Sequence, residues 1–234
     1  MTTDAADAPT PSAMRIVLAA ERLFAIHGID GVSLRQVATE AGSANNSAVH
    51  YHFGSKDGLI AAIFRHRLPQ LINERRLLTA HCDADDLRSR FEAHYLPVLH
   101  LADAPDSHYI SFVEQLQRRE MATRTSATLL PELPAEGQRS HEAFHEDLER
   151  LLDDLDEPLR QLRIAEAEVL CLHAAADREQ AVAADGAVTP FELFASSLVD
   201  GLVGFLTAPA SATTRRWLGR TGDVDDRRNR QEPR

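Results

Sequence analysis

Cysteine is scarce in this 234-residue sequence. The two cysteines, Cys82 and Cys171, lie far apart and form no C-x-x-C pair. The sequence therefore offers no cysteine pair for a metal site. So few cysteines are typical of proteins of a reducing cytoplasm, where we expect this protein. We expect each cysteine to be a small buried hydrophobic residue.

Long apolar runs are also missing. The sequence contains no apolar run of 18 or more residues, so we expect no membrane span. The amino terminus has neither a basic start nor an apolar core, and we therefore expect no signal peptide. No segment shows the sustained alternation that is typical of strands, so the sequence predicts an all-α fold.

Recognisable catalytic patterns are absent too. The sequence has no nucleophile elbow and no glycine-rich phosphate loop, so we expect neither enzyme activity nor a cofactor. Hydrophobic residues make up 44% of the chain and charged residues 26%, which are ordinary values for a globular protein. Function must therefore be inferred from local patterns.

The most informative stretch is residues 33–59. Ser33, with Gln36 three residues later, forms a capping-box pattern at the start of a helix that Gly42 ends. A second short helix follows, ends near Phe53 and precedes a third, longer helix. Two short helices joined by a glycine-containing turn form a helix-turn-helix, whose second helix enters the major groove of DNA.

Two segments in this stretch, SLRQVATEAG and NNSAVHYHFGSKDGLI, resemble the DNA-binding domain of the TetR family of bacterial transcriptional regulators. The resemblance covers about residues 12–67, and the rest of the chain is similar only in helix count and layout. Between Gly42 and Lys56 the chain has one residue more than the common family pattern. Asn45 and Asn46 are therefore alternative caps of the recognition helix.

The polar surface of the second helix predicts where DNA is read. Base reading should concentrate in Asn45, Asn46 and His50, because asparagine pairs well with adenine. The resemblance implies that three neighbours contact phosphate, namely Tyr51, His52 and Lys56. The full set of expected DNA contacts is Ser33, Arg35, Asn45, Asn46, Ser47, His50, Tyr51, His52 and Lys56.

The net charge of the chain is -11, which is unusual for a DNA-binding protein, but the charge is unevenly distributed. Residues 12–67 contain six basic and four acidic side chains, a local charge of +2, which leaves -13 for the rest. A positive end on an acidic body would orient the protein on phosphate.

Helical periodicity divides the chain into four parts. We expect a disordered arm at 1–11, a three-helix helix-turn-helix domain at 12–55, a helical effector-binding and dimerisation domain at 56–207 and a disordered tail at 208–234. About nine helices are expected in all. Besides a first helix at 12–27, the later ones are expected at about 84–102, 107–122, 138–155, 158–183 and 191–207. Pro69 should either kink the fourth helix or end it.

One helix contains HEAFH, a literal H-E-x-x-H pattern. On a helix, His141 and His145 could bind zinc, with Glu142 as general base and Glu166 as a third ligand. The same residues also form the polar face of an amphipathic helix, and we prefer this interpretation, with no metal. The residues expected to point inward are Ala143, Phe144, Leu148, Leu151 and Leu152.

The last two helices carry apolar stripes. The segment 191–207 is apolar around most of its circumference, which predicts burial on more than one side. The family resemblance implies that these helices meet their symmetry mates in a four-helix dimer interface, and an ordinary monomer core is the alternative. The expected interface residues are Leu162, Val169, Leu172, Ala176, Phe194, Leu198, Leu202 and Phe205.

The body of the chain is larger than DNA reading requires, so we expect an effector pocket between the fourth and eighth helices. An apolar molecule with one polar or charged end would suit the interleaved aromatic and polar residues, with Arg119 as the partner of an acid. The candidate lining residues are Phe91, Tyr95, Phe112, Gln115, Leu116, Arg119, Phe144 and Leu148. For each of them plain core is the favoured alternative, because any helical core needs such stripes.

Together these patterns predict a ligand-responsive bacterial transcriptional regulator. We expect a repressor that binds a palindromic double-stranded operator as a homodimer and is released by a small, largely apolar effector, with no membrane contact. The alternative is a helical small-molecule-binding protein or enzyme, including a zinc site at His141 and His145, in which the helix-turn-helix is only structural.

Overall fold

The computed structural model describes residues 10–43, 46–123 and 135–219, with the backbone alone described for residues 46–48 and 120–123. Over these ranges the chain is all-α, as the sequence predicts, and has no strand. The helices are α1 (Pro11–His27), α2 (Leu34–Glu40), α3 (Asn46–Phe53), α4 (Lys56–Thr79), α5 (Leu87–Ala102), α6 (Tyr109–Thr123), α7 (Ala135–Leu151), α8 (Glu157–Ala183), α9 (Phe191–Thr207) and α10 (Ala212–Gly219).

Helix boundaries differ from the expected ones mainly where caps decide them. The helix expected from residue 84 begins at Leu87, because the Asp86 side chain accepts a hydrogen bond from the Ser89 amide at 2.8 Å. The helix expected at 138–155 spans Ala135–Leu151. Residues 212–219, which we expected within a disordered tail, form α10 instead. Residues 1–9 and 220–234 lie outside the described part of the chain.

α1 packs against the two helices of the helix-turn-helix, α2 and α3. Thr10 caps it through its hydroxyl, which accepts a hydrogen bond from the Ala13 amide at 3.2 Å, and Pro11 fixes the first turn. The helix ends at Gly28, whose φ of 72° suits glycine. Ile16 and Phe24 on its inner face are fully buried.

α4 runs without interruption through Pro69, so the alternative in which a new helix begins there is wrong. Proline removes one backbone hydrogen bond and would orphan the carbonyl of Arg65. Both Pro69 and Arg65 are exposed, so water can reach that carbonyl. α4 therefore links the helix-turn-helix continuously to the body.

α6 lies at the centre of the molecule. It packs against α1 on one side and α8 on another. Phe112 of α6 has its ring centroid 6.3 Å from that of Phe24 and 5.7 Å from that of Phe64. The buried carboxylate of Glu179 accepts hydrogen bonds from the amides of Ile110 and Ser111 at the start of α6, at 3.1 and 2.7 Å. A negative charge there also complements the helix dipole.

α8 and α9 pack against each other along the carboxyl-terminal side of the body. The buried guanidinium of Arg163 donates to the carbonyl of Leu206 at 3.0 Å, which satisfies the end of α9. In the described part of the chain, no single helix is long and apolar enough to cross a membrane. α9 and α10 together have the length and composition, but they are bent by 51° at the break between them.

Candidate DNA-binding surface and internal cavity

The helix-turn-helix is built by local hydrogen bonds that the sequence predicts. The Ser33 hydroxyl accepts from the Gln36 amide at 3.3 Å, and the Gln36 side chain accepts from the Ser33 amide at 2.8 Å. This is the expected capping box. Gly42 ends the first helix with a φ of 66°, and Gly54 ends the second with a φ of 70°.

The first turn of α4 permits no side chain at one position. A Cβ atom on Gly58 would overlap the carbonyl oxygen of Phe53. Ser55 caps α4 by accepting a hydrogen bond from the Gly58 amide at 3.1 Å. Val49 and Phe53 pack inward from α3, and Val49 is fully buried. The opposite face of α3 is therefore held towards solvent.

The residues expected to read bases lie on or just before α3. The helix begins at Asn46, while Asn45 and the side chains of Asn46 and Ser47 lie outside the described part of the chain. His50 is exposed, and its Nδ1 atom lies 3.1 Å from the carbonyl oxygen of Gly54. This contact aims the ring at the carboxyl-terminal end of α3.

The residues expected to contact phosphate are also at the surface. Tyr51 is 86% exposed, an unusual value for a tyrosine, and its ring packs edge-on against His52, which is exposed as well. Arg35 is exposed on α2, and so is Ser33 at the N-cap before it. The structure thus places these predicted contacts on the outside of one small helical unit.

Lys56 has a second role. Its Nζ atom donates to the carbonyl oxygens of Ile29 at 2.9 Å and Asp30 at 3.2 Å. These bonds tie the start of α4 to the loop that follows α1. An ammonium group has three donors, so the third remains available for a phosphate.

A cavity of about 570 Å³ lies between the helices of the body and is partly open to solvent. Helices α4, α5, α6, α7 and α8 supply its walls. Its lining residues are Leu68, Leu71, Arg75, His94, Tyr95, Val98, Tyr109, Ile110, Val113, Gln117, Gly137, Gln138, His141, Glu142, His145, Gln161, Glu168 and Leu172. The volume falls within the 300–1,000 Å³ that is typical of small-molecule sites.

Of the eight candidate effector contacts, Tyr95 lines this cavity. Gln115 and Arg119 lie on the other side of α6, against the loop after α1, where Arg119 pairs with Asp30 at 3.4 Å. The other five are buried in the surrounding core, namely Phe91, Phe112, Leu116, Phe144 and Leu148. A helical stripe marks inward positions but does not tell which of them face a cavity and which face another helix.

The cationic group in the cavity wall is Arg75, which the sequence analysis did not single out. Its Nε atom donates to the carbonyl of His94 at 3.0 Å, and no described carboxylate lies within ion-pair distance of it. Burial lowers the pKa of Arg75, yet an arginine stays charged. A signal was present, because Arg75 continues the inward spacing of Leu68 and Leu71.

His94 lies beside Arg75 and is buried against Phe144, with ring centroids 3.8 Å apart. Burial, followed by the positive charge of Arg75, holds the pKa of His94 well below its usual value. The imidazole is therefore neutral at neutral pH. The cavity thus combines a mostly apolar wall with one permanent positive charge, on Arg75, and with the carboxyl groups of Glu142 and Glu168.

The H-E-x-x-H segment faces the cavity. His141 and His145 are half-buried and lie near Glu168, which is 6% exposed. Burial lowers the pKa of His141, whereas the hydrogen bond from His145 to Glu168 raises the pKa of His145. The carboxylate that lies near the two histidines is Glu168, whereas Glu166, the third ligand considered from the sequence, is exposed. Ala143 is also exposed, contrary to expectation, because the helix turns both histidines inward instead.

The body and the helix-turn-helix share buried polar contacts. Glu21 of α1 is 1% exposed and binds Arg67 of α4 through two hydrogen bonds of 2.8 and 2.7 Å. It also accepts the backbone amide of His108, which precedes α6, at 3.3 Å. α6 therefore has one face on the cavity and another against α1, which packs on the helix-turn-helix.

The expected dimer residues fall into two groups. Leu162 and Val169 of α8 are 54% and 38% exposed. Ala176 and Leu202 are buried within the chain, so they belong to its own core. The remaining four are partly buried, namely Leu172, Phe194, Leu198 and Phe205. Leu193 of α9, at 61% exposure, extends the apolar surface that α8 and α9 present to solvent.

Comparison with known proteins gives one family match. Residues 16–63 match the model for the bacterial regulatory proteins of the tetR family. The HTH-type transcriptional repressor AcnR of Corynebacterium glutamicum is 35% identical over 81 residues, which make up 33% of this chain and 43% of that protein. The matched segment thus spans less than half of the relative's length.

Solved structures are similar over more of the chain. The fatty acid degradation regulator FadR of Bacillus halodurans superposes with a TM-score of 0.55 and 18% identity, covering 86% of this chain and 99% of that one. A transcriptional regulator of Rhodococcus sp. Rha1 superposes with a TM-score of 0.52 and 23% identity, covering 84% and 96%. At these identities the likeness shows the fold alone.

Proposed function

We propose that the chain is a ligand-responsive transcriptional repressor of the TetR family, whose model residues 16–63 match. It binds a palindromic operator as a homodimer, and a small, largely apolar effector releases it. The observation that carries the proposal is a helix-turn-helix with an exposed polar face, joined through α4 and α6 to a body with an internal cavity. The relative AcnR, a repressor by name, supports the direction of control.

DNA reading rests on α2, α3 and the start of α4. Asn45, Asn46 and His50 read bases, and Tyr51, His52 and Lys56 contact phosphate. In a two-fold dimer the recognition helices would lie about 34–36 Å apart on one face of the DNA. Selection of bound fragments from random DNA should yield a palindromic consensus. Asn45→Ala and Asn46→Ala should then change which bases are preferred, and unaltered preference in both variants would show that this assignment is wrong.

Dimerisation rests on the apolar surface of α8 and α9. Leu162→Arg and Leu193→Arg place a charge on residues that the single chain leaves more than half exposed. Both should convert the dimer to a monomer in a mass measurement at micromolar concentration. Leu77→Arg, at a leucine of α4 that is 51% exposed, is the matched control and should remain dimeric. A wild-type monomer under these conditions would overturn the proposal.

The effector occupies the cavity. Its wall is mostly apolar, so an apolar molecule fits, and Arg75 supplies the partner for an acidic end in place of Arg119. Arg75→Gln should weaken binding of an acidic effector and leave its neutral analogue unaffected. If wild-type protein binds the acidic effector and its neutral analogue with the same affinity, Arg75 has no role in recognition.

The signal passes through α4 and α6. Residues of α6 line the cavity, and the same helix packs against α1, whose Glu21 binds Arg67 of α4. An effector can change DNA affinity only through different affinities for two states, typically about 1–3 kcal/mol. By reciprocity, operator DNA should weaken effector binding by the same factor by which the effector weakens operator binding. Calorimetric titrations of the effector with and without operator DNA measure this factor, and equal effector affinities in the two titrations would exclude the coupling.

The rival function is that of a helical small-molecule-binding protein or enzyme in which the helix-turn-helix has only a structural role. A gel shift on the protein's own upstream DNA separates the two. The repressor should bind with an affinity that falls steeply as salt rises, because neutralised phosphates release counterions. Absence of any shift at low salt would favour the rival.

A further inference from the structure

One cluster of side chains in the cavity wall is unexplained by effector binding alone. His141 and His145 lie one turn apart on α7, and Glu168 faces them from α8. The Nε2 atom of His145 is 2.8 Å from Oε1 of Glu168, and Nδ1 of His141 is 3.9 Å from the same oxygen. One potential ligand atom from each residue lies within 4.8 Å of the others.

The second oxygen of Glu168 provides an independent observation. The Glu168 side chain is 7% exposed, and its Oε2 atom is buried with no hydrogen-bond partner in the described part of the chain. Leaving a buried carboxyl oxygen without a partner costs more free energy than a typical hydrogen bond contributes net. Such groups in folded proteins call for an ion or another partner, and a cation beside His141 and His145 would meet this need.

The chemistry of the three ligands selects the class of cation. Imidazole nitrogens suit zinc and its transition-metal neighbours, whereas calcium and magnesium prefer shells made of oxygen alone. Two histidines and one carboxylate are a known ligand set of zinc, with a fourth position open to the solvent side. Here that side is the cavity.

We propose that His141, His145 and Glu168 form a binding site for a divalent transition-metal ion, zinc before others, in the wall between α7 and α8. Ligand atoms on a tetrahedral zinc ion lie about 3.3 Å apart, given bonds of about 2.0–2.1 Å. The present spread of up to 4.8 Å therefore closes with small side-chain rotations. The ion would replace the hydrogen bond between His145 and Glu168 and join the two helices.

The spacing on α7 supports this geometry. Positions i and i+4 place both imidazoles on one helical face, with their ring centroids 4.4 Å apart. Glu168 comes from α8, which packs against α7, and lies at i+4 from the buried Ile164. Neither helix supplies the full set, so the site exists only once α7 and α8 have packed together.

The test uses the full untagged chain, dialysed against a chelator and then supplied with zinc. Elemental analysis should find one zinc ion per chain, and zinc should raise the melting temperature. Cobalt in its place should give the visible absorption of a four-coordinate ion with nitrogen and oxygen ligands. Because cobalt reports on wild-type protein, this measurement is independent of any variant's ability to fold. A wild type that retains no zinc, or whose cobalt spectrum is that of the hydrated ion, would overturn the proposal.

Variants separate the cluster from the other histidines, of which the chain has 11 in all. Glu168→Gln keeps the shape of the side chain and should weaken zinc binding by more than about 100-fold, since loss of even an outer partner costs about 10–100-fold. His141→Ala should do the same. The control His173→Ala removes an exposed histidine of α8 that pairs with Glu114, and it should bind zinc as the wild type does. Equal zinc retention by Glu168→Gln and wild type would refute the site.

Discussion

The helix-turn-helix and the helical body treat their polar side chains in opposite ways. In the helix-turn-helix, Arg35, His50 and Tyr51 lie on the outside, and apolar residues fill the inside. In the body, Arg75 and Glu168 belong to the wall of an internal cavity. The first arrangement suits a large polar partner such as DNA, and the second suits a small molecule or an ion that enters the protein.

The difference has an energetic side. An exposed polar side chain costs the fold almost nothing, whereas a buried one must find a partner or destabilise the protein. Glu21 and Glu179 are both 1% exposed and both satisfied by hydrogen bonds. Glu168 is the departure, since Oε2 has no described partner. That unpartnered oxygen is one of the observations on which the proposed cation site rests.

The strongest test of this comparison concerns Phe112, which lies where the two regions meet. Phe112→Ala removes a fully buried ring that packs against Phe24 and Phe64. It should lower the free energy of unfolding by about 3–5 kcal/mol, measured by chemical denaturation. Val113→Ala, next to it but on the cavity wall, should cost about 1 kcal/mol or less. Equal losses would mean that the cavity is not a preformed space.

Buried and exposed ion pairs of α1 offer a second test. Glu21→Gln leaves Arg67 without its buried partner, and we expect a loss of about 3 kcal/mol in unfolding free energy. Arg22→Gln breaks the neighbouring surface pair with Glu40, which should cost about 1 kcal/mol or less. Denaturation curves of the two variants check the contrast. If both variants behave alike, the contact between the two regions is not held by Glu21.

A smaller effect is expected within the helix-turn-helix itself. Ser33→Ala removes the cap of α2, and we expect a loss of about 1 kcal/mol in stability together with weaker operator binding. Thr39→Ala, an exposed position in the same helix, should change stability by no more than about 0.5 kcal/mol. Thermal melts and anisotropy titrations on operator DNA provide both readouts.

The smallest expected change in stability is at Arg35 of α2, which we propose to contact DNA. Arg35→Gln should leave the melting temperature unchanged, because the side chain is exposed, yet lower the salt slope of DNA binding by about 1. Arg76→Gln, at an exposed arginine near the far end of α4, should leave that slope unchanged. A slope that falls equally in both variants would place the DNA elsewhere than on α2 and α3.

The sequence by itself determined the local features. The capping box of Ser33 and Gln36, the glycine that ends α2 and the bounds of α9 all follow from residues within a few positions of each other. Such signals are short-range, since a cap needs only its own helix. For the same reason the all-α fold and the match of residues 16–63 to the tetR family model were predictable from the sequence.

Only the tertiary structure decided what faces the cavity. Tyr95 lies in the cavity wall, but Arg119 pairs with Asp30 outside it, and the cationic side chain of the wall is Arg75. The pairing of His145 with Glu168 joins residues 23 positions apart on two helices. Helical periodicity tells which side of a helix points inward. Whether an inward side chain packs in the core, lines the cavity or contacts a ligand depends on which residues of the neighbouring helices lie opposite it, and the packing of five helices decides this.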